Sequence, residues 1–193
     1  PGTASRVYNI EKFKWSDRKW MNKRTKNFDK PMNIYEVNIG SWKMKKDFTD
    51  EEDGEFYSYE EMIDLLIPYL IENNYTHLEL MPLTEFPFDG SWGYQATGYF
   101  SITSRYGTPK GLMAFINACH KAGIGVIMDF VPAHYVKDGH GLYKFDGGFV
   151  YDYPDIERRY TEWDSVYFDV GREEVRSFLM SSVGFLAEYF HID

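Results

Sequence analysis

The stretch "GIGVIMDFVPAHYVKD" (Gly123–Asp138) decides how the chain is read. Ile124 to Val131 form a short apolar run with the character of a buried strand. Gly123 ends whatever precedes it, and Pro132 cuts the run off. An acid, Asp129, lies inside this run, and an imidazole, His134, follows just past its end. Such groups at the exit of a buried strand call for an explanation, because a buried carboxylate is costly unless it is paired or hydrogen-bonded.

Outward from this strand the pattern repeats. "THLELMPL" (Thr76–Leu83) reads as a second strand, and "NIYEVNIG" (Asn33–Gly40), with Ile34, Tyr35, Val37 and Ile39, as a first. Ser58 opens a helix with Glu61 as its capping-box partner. Tyr59, Met62, Ile63, Leu66 and Leu70 make one face of it, Pro68 should kink or shorten it, and Asn73 and Asn74 stop it. A second helix has Thr108 as cap, Pro109 in first position and Gly123 at its end, with Leu112, Phe115, Ile116 and Cys119 inward. A third places Val175, Phe178, Leu179, Val183, Leu186 and Phe190 on one face.

The order β-α-β-α-β-α implies parallel strands with crossover helices. Helix-to-strand connections should be one to three residues, whereas Thr84–Gly107 and Pro132–Gly171 form long strand-to-helix loops. In barrels of this alternation the loops after the strands build the active site. An eight-unit barrel takes about 250 residues. The predicted fold is therefore α/β: a partial (β/α)8 TIM barrel, its first three βα units occupying residues 31–193 and stopping where a fourth strand is due. A small doubly wound sheet is the alternative, but no GxGxxG or GxxxxGK[ST] follows any strand. Residues 1–30 read as an irregular, charged linker or the tail of something upstream. Asp47–Glu55 reads as a solvated acidic loop.

The net charge of −9 argues against a general nucleic-acid binder. The basic segment Glu11–Lys30, with Trp15 and Trp20, reads as a solvated linker. The single cysteine, Cys119, excludes a disulfide framework and reads as a core thiol. No apolar run approaches the ~18 residues of a membrane span, and no leader pattern opens the chain. A cytoplasmic protein with no membrane partner is expected.

Asp129 needs an arginine or several donors, and His134 can donate to a substrate hydroxyl. A metal site of Asp129, His134 and His140 lacks supporting His pairing, so neither a metal nor a cofactor is expected. "FDGSWGYQATGYF" (Phe88–Phe100) has turn glycines at 90, 93 and 98. Its Trp92, Tyr94 and Tyr99 either offer flat faces to a sugar ring or pack down as core. Glu79, Glu85 and Asp89 lie near strand ends and could supply a carboxylate pair for glycoside chemistry, but spacing selects none.

"MDFVPAH" resembles the first conserved region of the α-amylase superfamily. More narrowly, "NIYEVNIGSWK", "YTHLELMPLTEFPFDGSWGYQATGYFSITSRYGTP" and "AGIGVIMDFVPAHYVKD" resemble bacterial 1,4-α-glucan (glycogen) branching enzymes from about Pro31 to the last residue. The resemblance implies a glycosyltransferase that cleaves an α-1,4 bond of glycogen or amylose and forms an α-1,6 branch by retaining double displacement. It implies that Tyr94 stacks under the sugar, His134 bonds a sugar hydroxyl and Asp129 orients the centre, with Trp92 and Gln95 also binding substrate. It makes residues 1–30 the join to a β-sandwich module. The family's nucleophile Asp, its neighbouring Arg and the general acid Glu are expected beyond Asp193, so the 193 residues alone should be inactive. Ala133 stands where many amylases carry a calcium-binding Asn, which argues against a calcium-dependent amylase. An amylase-type or trehalose-releasing hydrolase and a non-catalytic glucan-binding module are the alternatives.

Overall fold

The computed structural model describes residues 6–25, 29–47, 49 and 54–193. Three parallel strands, β1 (Ile34–Val37), β2 (His77–Leu80) and β3 (Gly125–Met128), form one sheet in the order β1-β2-β3. Leu78 pairs with Tyr35 on one side and Val126 on the other. Helices α1 (Tyr59–Glu72), α2 (Pro109–Ala122) and α3 (Glu173–Tyr189) follow the three strands in turn. This is the alternation the sequence implies: a partial α/β fold with parallel strands and no closed barrel. No helix among the described residues is long and apolar enough to cross a membrane.

The chain divides into two compact units. One gathers Tyr8–Met81, Thr103–Asp129 and Leu186–Asp193, and includes the parallel sheet. Here Leu78, Leu80 and Val126 are fully buried, as are Tyr59, Met62, Leu66 and Leu70 of α1 and Leu112, Phe115, Ile116 and Cys119 of α2. Both helix starts are capped locally. Ser58 Oγ accepts from Glu61 N while Glu61 accepts from Ser58 N, and Thr108 Oγ1 accepts from Gly111 N. Gly123 closes α2 at φ 83°, a conformation in which it has no Cβ to strain.

The other unit gathers Pro82–Ile102 and Phe130–Phe185. Its core is Ala96, Tyr99, Tyr135, Val166, Phe168, Val175 and Leu179. The buried Ser182 hydroxyl donates to the Tyr99 carbonyl.

Several expectations change. Each barrel strand is four residues, shorter than its apolar run. Ile39–Trp42 is a helical turn, because the Asn38 side chain accepts from Ser41 N and curls the backbone. α1 runs through Pro68 to Glu72, since buried Leu66, Ile67 and Leu70 hold both sides of the missing N–H. The connection Asn73–Thr76 is four residues long. The two long loops contain hairpins: Thr84–Glu85 pairs with Gly98–Ile102, and His134–Tyr135 with Val166–Tyr167. Val183 is 46% exposed and Ser182 takes the inward position, because Val175, Leu179, Ser182 and Leu186 form the stripe of spacing 4, 3 and 4. The charged N-terminal segment is not wholly irregular. Arg18–Met21 is helical and Asp17 is buried. Met44–Lys46 pairs with Glu55–Phe56, while most of the predicted acidic loop between them lies outside the described residues.

Candidate functional site

The aromatic loop is shaped by its backbone before its side chains. A turn at Asp89–Ser91 delivers Trp92 in a left-handed conformation, φ 54°, and the residue is 57% exposed. Gly93 follows at φ 94°, and a Cβ there would stand 2.2 Å from the Pro82 carbonyl oxygen. Only glycine lets the chain pass. Tyr94 N then donates to Ser91 O at 3.0 Å; Tyr94 and Gln95 are half-buried and Ala96 is buried.

His134 meets this loop. Its ring is hydrogen-bonded to the Tyr94 backbone, and that bond offsets part of the burial that lowers the imidazole's proton affinity. His134 is also fixed from behind. Tyr99 is 3% exposed, and its hydroxyl donates to the His134 carbonyl at 2.9 Å. Burial pushes the Tyr99 phenol up. Tyr99 is therefore core, not a sugar platform, and of the two readings of the loop it takes the packing one. Trp92 stays open, and Tyr94 is intermediate. The structure thus joins His134 to Tyr94 within one unit.

Asp129 belongs to the other unit, one residue past β3, where its N–H donates to Leu80 O at 2.9 Å. The period of two along β2 buries Leu78 and Leu80 and turns His77 and Glu79 to the opposite face. Glu79 is hydrogen-bonded to Asp129, and Glu36 lies beside it in strand register. Burial first, then the Asp129 charge, raises the Glu79 carboxyl above its ordinary range. The structure sets a second acid beside Asp129, one that spacing alone did not select. Glu85 instead folds back to bond Phe86 N, and Asp89 opens the turn before Trp92. His140 is exposed. Among the described residues, the His/Asp group with metal-ligand spacing is Asp17, His120 and His191, which shares no member with the Asp129, His134 and His140 trio.

Comparison with known proteins agrees with this architecture. The model of the alpha amylase catalytic domain matches residues 61–147. A candidate alpha amylase of Salmonella typhimurium superimposes with a TM-score of 0.74 at 24% identity, covering 97% of this chain and 28% of that one. The alpha-amylase of Geobacillus thermoleovorans superimposes with a TM-score of 0.65 at 18% identity, covering 84% of this chain and 38% of that one. The fold is therefore a partial (β/α)8 barrel, its first three βα units, similar to that of these amylases.

The nearer likeness is to branching enzymes. The chain is 54% identical over all its 193 residues to the 1,4-alpha-glucan branching enzyme GlgB of Fusobacterium nucleatum, of which it spans 31%. It is 54% identical to the enzyme of the same name from Geobacillus stearothermophilus, of which it spans 30%. The chain thus covers about a third of the length of these relatives.

Proposed function

We propose that the chain is the opening part of the catalytic barrel of a 1,4-α-glucan branching enzyme and supplies its substrate-positioning face. The observation that carries this reading is the junction of His134 with Tyr94 of the aromatic loop, in a chain 54% identical throughout to a branching enzyme. A sugar has apolar C–H faces and a polar rim. Tyr94 and Trp92 suit the first, and the His134 imidazole and Gln95 amide suit the second. Asp129, with Glu79 beside it, positions the reacting centre from the strand end. The nucleophile Asp and general acid Glu come from sequence beyond Asp193. Positioning groups do not replace them, so the 193 residues alone are inactive. Residues 1–30 join an upstream module to the barrel, and the docked Asp17 fastens that join.

The test is amylose incubated with the intact protein. Iodine absorbance falls without new reducing ends if chains are transferred to 6-hydroxyls. A parallel rise in reducing ends would make the protein a hydrolase and overturn the reading. Tyr94→Ala should weaken maltoheptaose binding by about tenfold, the loss of one stacking face. Unchanged affinity would remove Tyr94 from the site.

A further inference from the structure

Outside the aromatic loop, three side chains of the sheet-bearing unit converge. Asp17 comes from the charged N-terminal segment, His120 from the last turn of α2, and His191 from just past α3. Asp17 Oδ2 accepts from Nδ1 of His120 at 2.8 Å and from Nδ1 of His191 at 2.8 Å. One donor atom of each residue lies within 4.8 Å of the other two. Asp17 and His120 are buried and His191 is half-buried.

The surroundings are ordered around His120. Its second ring nitrogen, Nε2, lies 2.9 Å from Asp193 Oδ2. That carboxylate is held in turn by Val126 N at 2.8 Å and Trp20 Nε1 at 2.9 Å. An imidazole whose far nitrogen is fixed by a carboxylate is the arrangement that orients metal-binding histidines. Trp20 stacks on His120 and Trp15 on His191, with centroids 5.3 and 3.7 Å apart, and these rings screen the group from water. His191 sits at φ 55°, a left-handed conformation that histidine adopts more readily than most residues.

We propose that Asp17, His120 and His191 form a binding site for a divalent transition-metal ion, with zinc the best fit. Two imidazole nitrogens and one carboxylate oxygen are zinc's ligand types, held at about 2.0–2.2 Å. Calcium and magnesium prefer oxygen ligands. Tetrahedral ligands at that radius stand roughly 3.3 Å apart, so the two hydrogen-bonded contacts spread by about half an ångström while the two imidazole nitrogens, within 4.8 Å of each other, settle at the same spacing. The ion takes the place of the protons now shared between the imidazoles and Asp17, and those protons leave to solvent. Its role is structural: it pins the segment around Asp17 to α2 and to the turn after α3. The site does not depend on the glucan reading.

The experiment uses the intact protein, stripped with EDTA, dialysed and titrated with zinc chloride. The expected result is one zinc per chain by atomic emission and a melting temperature raised by several degrees, as ligand linkage requires. Cobalt(II) should give the visible absorption bands of a nitrogen- and oxygen-ligated ion. His191→Ala, at a half-buried position, should cut zinc affinity at least about tenfold and abolish the zinc-dependent rise, whatever its metal-free melting temperature. Asp17→Asn, which keeps the side-chain shape, should do the same. Zinc uptake equal in the parent and His191→Ala, or a melting temperature that ignores zinc in the parent, overturns the proposal.

Discussion

Glu79 shows how a single side chain acquires a role that its neighbours in sequence do not announce. It stands in a run of ordinary strand residues, yet its carboxyl faces Asp129. Burial and the Asp129 charge make its proton harder to remove in the folded chain than in the unfolded one. The folded state therefore binds more protons just above the ordinary glutamate range, and stability declines as pH rises through that window. Glu79→Gln should flatten this slope and raise stability on its alkaline side, read as urea midpoints from about pH 4 to about pH 7. An unchanged slope would mean that the Glu79–Asp129 contact carries no energetic weight. Gly93 and Trp92 make the complementary point. Successive left-handed residues form a bend that only the glycine tolerates beside the Pro82 carbonyl, so the exposure of Trp92 follows from backbone geometry.

At the scale of elements, what is local was legible and what is distant was not. The capping box of α1 and the Thr108–Pro109 start and Gly123 stop of α2 are signals carried within a few residues. The hairpins inside the long loops were not legible, because three of their four strands are two residues long, with no period to detect, and partners such as Thr84 and Ile102 lie far apart in sequence. The cap of α1 is the clearest test. Ser58→Ala should lower unfolding free energy by about 1 kcal/mol, and Ser58→Asp, which can still accept from Glu61 N, should restore most of it. A loss below about 0.3 kcal/mol would show that packing alone fixes the helix start. Glu61 adds a pH signature. The Lys45 ammonium at 2.7 Å, then the Ser58 N–H, hold its carboxyl down to about 2. The contribution of this group is present above its ordinary value and is lost as pH falls toward about 2.

The three-stranded sheet, taken as part of a whole molecule, has its outer edges at β1 and β3. Beyond β3, Asp193 N already donates to Val126 O, the first rung of further pairing. Unpaired strand edges invite association with other chains. The 193 residues expressed alone should therefore melt broadly at a low midpoint and aggregate as concentration rises, followed by calorimetry and light scattering. A sharp, concentration-independent transition above about 65 °C would show a self-sufficient domain and end the incomplete-barrel account.

The sequence by itself determined the alternation of strands and helices, the helix ends and the placing of elaborate loops after strands. Hydrophobic period and capping chemistry act over a few residues and survive in one dimension. It also pointed, through resemblance, to Tyr94, Asp129 and His134 as candidate substrate-binding residues. Only the tertiary structure decided that Tyr99 is core beneath His134, that Glu79 is the acid beside Asp129, and that Asp17, His120 and His191 meet. Those outcomes depend on strand register and on contacts between residues up to 174 positions apart, which no local pattern encodes.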